Sequence, residues 1–380
     1  MRVRLGDYIK EYSVRNKKNE DIPVYSVTNT QGFCQDYFGK EVASKDKTTY
    51  KIVPRVCFAY NPSRINVGSV DWQRAEERVI VSPLYNVFSV SPELDQQYLY
   101  YYLKSDVALQ RIRNVATGSV RDNLKLDMLC EFPLNLRPKD EQLVVVENLD
   151  KIKSVIRLRQ QELEKLDELV KARFVEMFGD PEFNTKAWPI QALDKLCNVG
   201  SSKRIYQNEQ SQEGVPFWRI SDLVSKMDTG VADSGLYIPE DRYMELKQAG
   251  LVPIPGDILV TSRGTLGRCY IIRDDDCFYF QDGMISWLSG YAENITPLYL
   301  QYLFMMPGFR KQIDSMQAGS TVAYLSIAML KNLRVMVPPI EVQNAFVSFV
   351  AQLDKSKVVV QKALDEAQLL FDSLMQQYFG

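Results

Sequence analysis

The chain of 380 residues contains no histidine. That absence excludes His-based triads, imidazole general bases and the usual zinc and non-haem iron sites. Chemistry on this chain would have to run on carboxylates, Lys, Tyr, Ser or Cys. Cysteine is sparse as well. The six (34, 57, 130, 197, 269 and 277) include no Cys-x-x-Cys pair and read as buried, reduced thiols. No apolar run approaches the roughly 18 residues needed to span a bilayer. The opening MRVRLGDYIKEY lacks the apolar stretch of a secretory leader. The expected setting is cytoplasmic, with no membrane partner.

Cofactor motifs are missing too. The run Ser262 to Arg268, SRGTLGR, has neither Walker spacing nor its Gly-Lys-Ser/Thr end. No Asn/Asp-Pro-Pro-Tyr/Phe tetrapeptide is present to hold a flipped adenine, and nothing reads as a cofactor glycine loop. An excess of charge of one sign is lacking as well, since 46 Lys and Arg face 48 Asp and Glu. A basic patch therefore has to come from local distribution rather than from the total.

What the chain does have is an internal repeat, the feature to seek first. Shifted by 201 residues, the sequence meets itself without a gap. Gly118-Ser119 falls on Gly319-Ser320, Leu124 on Leu325, Met128 on Met329, Pro138 on Pro339 and Gln142 on Gln343. Two Phe-Gly ends, 178–179 and 379–380, also coincide. Between these marks runs a 3-4 apolar pattern, Leu149, Ile152, Ile156, Leu163, Leu166 and Val170, interrupted at Arg159. Its counterpart reads Val350, Leu353, Val360, Leu364, Phe371 and Leu374, interrupted at Lys357. Such spacing predicts two long helices whose seams pack as a coiled coil. Each starts just after proline (Pro138; Pro338-Pro339), and Gly179 followed by Pro181 ends the first.

Upstream of each helix lies a mixed block. Short β-like runs (KIVPRVCFAY, RVIVSPLYNVFSV, DILVTSRG, RCYIIR, CFYFQDGMISWL) alternate with Asn, Pro, Gly and Asp turns. Helical stretches follow over 94–112 and 297–316, and the opening IPVYSVTN at 22–29 resembles VPFWRISD at 215–222. The expected architecture is mixed α/β (α+β): globular block 1–138, helix 139–180, globular block 181–338 and helix 339–380. The duplication allows a pseudo-twofold arrangement.

The stretch LDELVKARFVEMFGDP, Leu166 to Pro181, resembles the central conserved region of type I restriction–modification specificity subunits. The tail from Pro338, PPIEVQNAFVSFVAQLDKSKVVVQKALDEAQLLFDSLMQQYFG, is similar to their distal conserved region. FAYNPSRINVGSV, VSPLYNVF and GDILVTSRGTLGRC resemble segments of their target-recognition domains. The resemblance covers essentially the whole chain in the family's order. It implies two recognition domains, each reading one half of a bipartite double-stranded DNA target, and an antiparallel pair of spacer helices. It further implies two methyltransferase subunits docked on that scaffold and, in a restriction complex, a nuclease/translocase subunit. S-adenosylmethionine and ATP/Mg would then sit on those partners, with no cofactor and no metal on this chain.

Reading DNA requires donors and acceptors for base edges and phosphates. In the first block these are Arg15, Lys17 and Lys18; Tyr60, Asn61, Arg64 and Asn66; and Ser119, Arg121 and Asn123. In the second they are Lys203 and Arg204, with Ser201 and Ser202 before them; Arg219; Ser262, Arg263, Thr265 and Arg268; and Ser320, Thr321 and Tyr324. The recurring Gly-Ser loop suits phosphate positioning, and the unlike stretches suit sequence choice. Two catalytic readings are weaker. Glu245-Leu246-Lys247 fits the Glu-x-Lys half of a metal-dependent nuclease motif, with Asp222, Asp228 or Asp233 as the partner Asp, and Asp274 to Asp276 reads as a hairpin turn. The chain is expected to be non-catalytic. The alternative is a helical adaptor with two protein-binding heads, which explains the neutral charge but not the Arg-bearing turns.

Overall fold

The computed structural model describes residues 1–35, 46–116, 123–316 and 323–380. It divides into two compact units, Met1–Gln161 with Val360–Gly380, and Glu162–Val359. The first unit contains β1 (Arg2–Arg4), β2 (Ile9–Glu11), β3 (Ser26–Thr28), β4 (Gly32–Cys34), β5 (Lys51–Pro54), β6 (Phe58–Tyr60), β7 (Val70–Trp72), β8 (Arg78–Val81) and β9 (Asn86–Val90). Then come α1 (Gln96–Lys104), α2 (Asp106–Val115), α3 (Leu126–Cys130), β10 (Pro133–Asn135) and the long α4 (Lys139–Phe178). The second unit adds β11 (Ile190–Ala192), β12 (Asn198–Gly200), β13 (Val215–Trp218), α5 (Ile220–Thr229), β14 (Tyr237–Ile238), α6 (Glu240–Gln248), β15 (Ile258–Thr261), β16 (Cys269–Ile271), β17 (Tyr279–Phe280) and β18 (Ile285–Ser289). It continues through α7 (Pro297–Met305), α8 (Pro307–Ser315), α9 (Ile327–Lys331), β19 (Arg334–Met336) and the long α10 (Ile340–Phe379).

The repeat is structural. Each unit holds a four-stranded antiparallel sheet, in the order β2-β9-β6-β7 in the first and β12-β18-β15-β16 in the second. Each pairs its first strand with the strand before the long helix, β1 with β10 and β11 with β19. The likeness of 22–29 to 215–222 extends to pairing, since Val24 bridges Ile80 in parallel and Phe217 and Trp218 pair in parallel with Tyr279 and Phe280. What lies between differs. The first unit inserts the β3-β4 and β5-β8 pairs, and the second inserts α5, α6 and the three-stranded β14-β13-β17 sheet.

The helical stretches expected over 94–112 and 297–316 are each made of two helices. Ser105 is extended (φ −70°, ψ 150°), and its hydroxyl accepts the Ala108 amide to cap α2. In the second unit Pro307 opens α8 and holds Met306 out of the helical region. Asp95 caps α1 and Thr296 caps α7, again at matching positions.

Both long helices run 40 residues, about 60 Å at 1.5 Å per residue. Each contributes its beginning to one compact unit and its end to the other. In the second unit the end of α4 meets the beginning of α10. Phe174 and Phe178 pack edge-on against Phe346, with centroids 5.5 and 5.4 Å apart, and Lys357 bonds Asp167 at 2.6 Å. The contacts advance along one helix as they recede along the other, so the pair is antiparallel. In the first unit Asn148 donates to the Tyr378 hydroxyl at 3.2 Å. All twelve apolar seam residues named above are buried or half-buried, with Leu149 fully enclosed.

Each Phe-Gly end closes a core. Phe178 is fully buried against Tyr299, at a ring separation of 4.8 Å, and Phe379 lies 5.1 Å from the matching Tyr98. Those tyrosines donate to the matching carbonyls of Met336 and Asn135. Gly179 adopts φ +82°, and a Cβ there would come within 2.4 Å of the Thr185 hydroxyl, so only glycine ends α4 in this way.

Candidate nucleic-acid interface

Part of the residues expected to touch DNA lies on one recurring element, the hairpin that carries the sheet's edge strand, whereas Arg15, Lys17, Lys18, Lys203, Arg204 and Arg219 lie elsewhere. In the first unit this is the loop between β6 and β7. It is closed by Asn61 N–H to Ser69 O at 3.3 Å and by Ser69 N–H to Arg64 O at 3.1 Å. Ile65 is its fully buried anchor, while Arg64 is exposed and Asn66 half-buried. In the second unit the loop joins β15 to β16. Thr261 and Arg268 pair at its base, Gly267 N–H donates to Thr261 O at 2.8 Å, and Arg263 and Thr265 are exposed. A Cβ on Gly267, which sits at φ +70°, would come within 2.6 Å of Ile313, so α8 can pack this closely only on glycine.

A second segment joins each hairpin. Leu124 N–H donates to Pro62 O at 3.1 Å, and its counterpart Leu325 N–H donates to Ser262 O at 3.0 Å. Asn123 and Tyr324 are thereby placed beside the two loops. The Arg263 guanidinium stands 5.4 Å from the Tyr324 ring centroid, a cation–π arrangement. Ser119, Arg121, Ser320 and Thr321, the rest of the expected Gly-Ser loops, lie outside the described residues.

Two expected contacts are corrected. Tyr60 is fully buried. Its hydroxyl donates to Leu124 O at 3.1 Å and accepts from Asn86 at 2.9 Å, and burial pushes its pKa well above the ordinary tyrosine value. Ser262 is equally enclosed, with its hydroxyl 2.8 Å from that of Ser286. Both side chains fasten the loops from beneath and leave no atom for a base edge or phosphate. Ser202 is buried as well, donating to Phe280 O at 2.7 Å, whereas Ser201 is half-buried and donates to Ile285 O. The Asn61 side-chain Oδ1 is taken by the amide and hydroxyl of Ser63.

The basic side chains fall into two groups. Arg204 bonds Asp282 at 2.8 Å, Arg219 stands 3.6 Å from Asp222, and Arg268 bonds Asp228 at 2.5 Å. The Arg268 contact holds the Asp228 carboxyl below its ordinary range. Arg15, Lys17, Lys18, Arg64, Lys203 and Arg263 are exposed and make no ion pair among the described residues. The 15–18 turn is built on Asn16, whose buried amide bonds both the amide and the carbonyl of Glu20.

The residues of the weaker catalytic readings have structural work. Glu245 bonds Arg242 on the same face of α6, and Asp222 caps α5 by accepting the Arg219 amide at 2.8 Å. The Asp274 to Asp276 run is not a hairpin, because β16 and β17 belong to different sheets. Asp276 is instead an inward carboxylate that accepts from the Tyr270 hydroxyl and the Arg273 amide and faces Lys226 at 3.3 Å.

Lys104 and Arg310 were not foreseen. Lys104 reaches from the end of α1 to Gly68 O and to Asn29 O, the latter at 2.9 Å. Arg310 reaches from α8 to Leu266 O at 3.0 Å. Each looks in sequence like one more helical surface cation, and only the fold brings it to a loop.

A family model described as "Type I restriction modification DNA specificity domain" matches residues 4–168 and again 185–367. A protein of Haemophilus influenzae named for a type I restriction enzyme specificity subunit is 24% identical over 309 residues, spanning 77% of this chain and 72% of its own length. The MjaVIII specificity subunit of Methanocaldococcus jannaschii is 22% identical over 392 residues, 96% of this chain and 88% of its own. Among solved structures, a chain from a study of type I R-M system assembly and conformational transition has the same fold. It superposes with a TM-score of 0.61 over 100% of this chain and 97% of its own, at 15% identity.

Proposed function

The chain belongs to the type I restriction modification DNA specificity domain family, and from that premise we propose that it is the non-catalytic DNA-reading subunit of a type I complex. Each compact unit reads one half of a bipartite target. The observation that carries this reading is the recurrence of one exposed, Arg-bearing hairpin loop, on Arg64 and on Arg263, at the edge of the same four-stranded sheet. Arginine pairs bidentately with guanine, and Asn or Gln with adenine, each pair worth roughly 1–3 kcal/mol of discrimination. The unlike insertions, β3 to β5 with β8 in the first unit and α5 to β14 and α6 in the second, supply the sequence choice that differs between half-sites.

The division of the chain follows: recognition domains over 1–138 and 181–338, and spacer helices over 139–180 and 339–380, whose length fixes the half-site spacing. The helices also offer a docking surface. Leu143, Val144, Val155 and Leu158 on α4 are 43–57% exposed, and Val358, Val359, Leu369 and Leu370 on α10 are 51–73% exposed. Apolar surface of this kind on otherwise charged helices suits burial by another protein. In this reading the occupants are two methyltransferase subunits, which carry S-adenosylmethionine and wrap the duplex. A translocating nuclease with ATP/Mg joins for restriction, in the cytoplasm. Near-neutral charge is compatible with DNA binding because the partners supply the remaining phosphate contacts.

Methylation-sensitive sequencing of the host genome tests the reading. A bipartite methylated motif that disappears on deleting this chain is the expected result, and an unchanged methylome would reject it.

A further inference from the structure

The two hairpin loops share a feature that the repeat itself does not supply. A strand-connecting loop turns several carbonyls away from the sheet ladder, and each needs a partner. In the first unit the Gly68 carbonyl receives the Lys104 ammonium, which also donates to Asn29 O at 2.9 Å and so ties the turn after β3 to the same loop. A Cβ on Gly68 would stand only 3.4 Å from Lys104 Nζ, which shows how closely the ammonium approaches. In the second unit the Leu266 carbonyl receives the Arg310 guanidinium at 3.0 Å.

The two cations are not repeat partners. The position matching Lys104 is Met305, 46% exposed, and the position matching Arg310 is the half-buried Leu109. The same contact has thus been built twice with different residues from different helices. Duplication alone would have copied the position. That the contact recurs without the position marks the carbonyl clamp, rather than the helix surface, as what the loop requires.

We propose that Lys104 and Arg310 are positioning residues for DNA reading, each holding the far end of the loop that presents Arg64 or Arg263. The assignment rests on the DNA-reading role given above. A clamp of this kind fixes the loop before DNA arrives, so less ordering is left for the binding step. Charge suits the task, since a hydrogen bond from a cation is shorter and stronger than a neutral one. Lys104 is half-buried and faces the Asp71 carboxylate, the Tyr100 ring at 5.5 Å, and Lys153, which stands 5.2 Å from the same ring. Arg74, bonded to Asp71 at 2.6 Å, and Asp150, which faces Lys153 and Tyr100, are the other charged groups on that side.

Two measurements test the clamp. In the full chain, K104M is expected to speed amide hydrogen exchange across 61–70 about tenfold and to leave the second unit unchanged, while K104R stays at the wild-type rate. R310M is expected to do the same across 262–268, with R310K restoring protection. Unaltered exchange in both Met variants would overturn the clamp even if the DNA-reading role stands. The second measurement maps methylation by the assembled complex in the host. K104M should lower discrimination in one half of the motif by about tenfold, R310M in the other half, and the cationic replacements should restore it. Equal loss in both halves, or Arg at 104 performing no better than Met, would reject positioning. A wild-type complex that yields no bipartite motif would overturn the DNA-reading role, and the positioning role with it.

Discussion

Gln142, fully buried at the start of α4, accepts a hydrogen bond at 2.8 Å from the backbone amide of Asp95, the residue that caps α1. The Gln142 side-chain nitrogen donates to Glu93 O at 2.9 Å and to Arg137 O at 2.8 Å. Gln343 repeats the arrangement with Thr296 N–H, Asn294 O and Pro338 O, each at 2.9 Å. One side chain per unit thus joins the long helix, its proline lead-in and the loop before the tyrosine-bearing helix.

Truncation of either glutamine leaves three backbone groups, most of them part-buried, without their partner. Gln142→Ala and Gln343→Ala are each expected to cost about 2–4 kcal/mol, because an unsatisfied buried group forfeits its full desolvation energy. Urea unfolding of the two variants measures this. A loss under half a kilocalorie in both would mean that water replaces the amide.

Phe178→Ala should rank among the most damaging single changes. The ring is fully buried between Phe174, Tyr299 and Phe346. Its removal leaves a cavity where two helices and α7 meet, at a cost of about 3–5 kcal/mol, whereas Phe178→Leu should cost under about 1.5 kcal/mol. Thermal denaturation distinguishes the two.

Lys357 interrupts the apolar seam, and its ammonium meets Asp167 at 2.6 Å while 61% of the Asp167 side chain stays in solvent. Exposed pairs contribute roughly 0–1 kcal/mol. Lys357→Leu is accordingly expected to be neutral or mildly stabilising by unfolding measurements. A strongly destabilised variant would show that the pair holds the helices in register.

Burial holds the Lys104 pKa down at about 8, against an ordinary 10.5. Between those values the unfolded chain keeps a proton that the folded chain has released, so this group makes stability rise with pH from about 8 to about 10.5. Below pH 8 both states are protonated and the slope vanishes. K104M should therefore lack that rise, and chemical denaturation of both proteins at pH 7, 9 and 10 reads the difference.

Arg64→Ala and Arg263→Ala should each weaken discrimination by roughly 1–3 kcal/mol at one half-site only. Methylome sequencing would register relaxed base choice in one half of the motif and none in the other. Relaxation of both halves by one substitution would contradict separate reading heads.

Much of the frame was legible in the sequence. Pro138, Pro339 and the 3-4 spacing marked α4 and α10, and the matched Gln142 and Gln343 marked the duplication, because helix starts and periodic burial leave local traces. The site was legible in part. Arg64 and Arg263 lie on exposed loops, but Tyr60 and Ser262 beside them turn inward. Alternation along a strand decides which neighbour faces the core, and its phase near a loop depends on the pairing partner rather than on composition.

Sequence by itself therefore determined the repeat, the two seams, the break at Pro181 and the absence of imidazole chemistry. Each of these follows from backbone restriction, apolar spacing or residue inventory, which act over a few residues. Only the tertiary structure decided that each long helix serves one unit with its beginning and the other with its end. It alone placed Phe178 against Tyr299 and Phe379 against Tyr98, and brought Lys104 and Arg310 to the loop carbonyls. Those contacts join residues up to 281 positions apart, and no local signal records them, because their energy appears only when both partners have left water together.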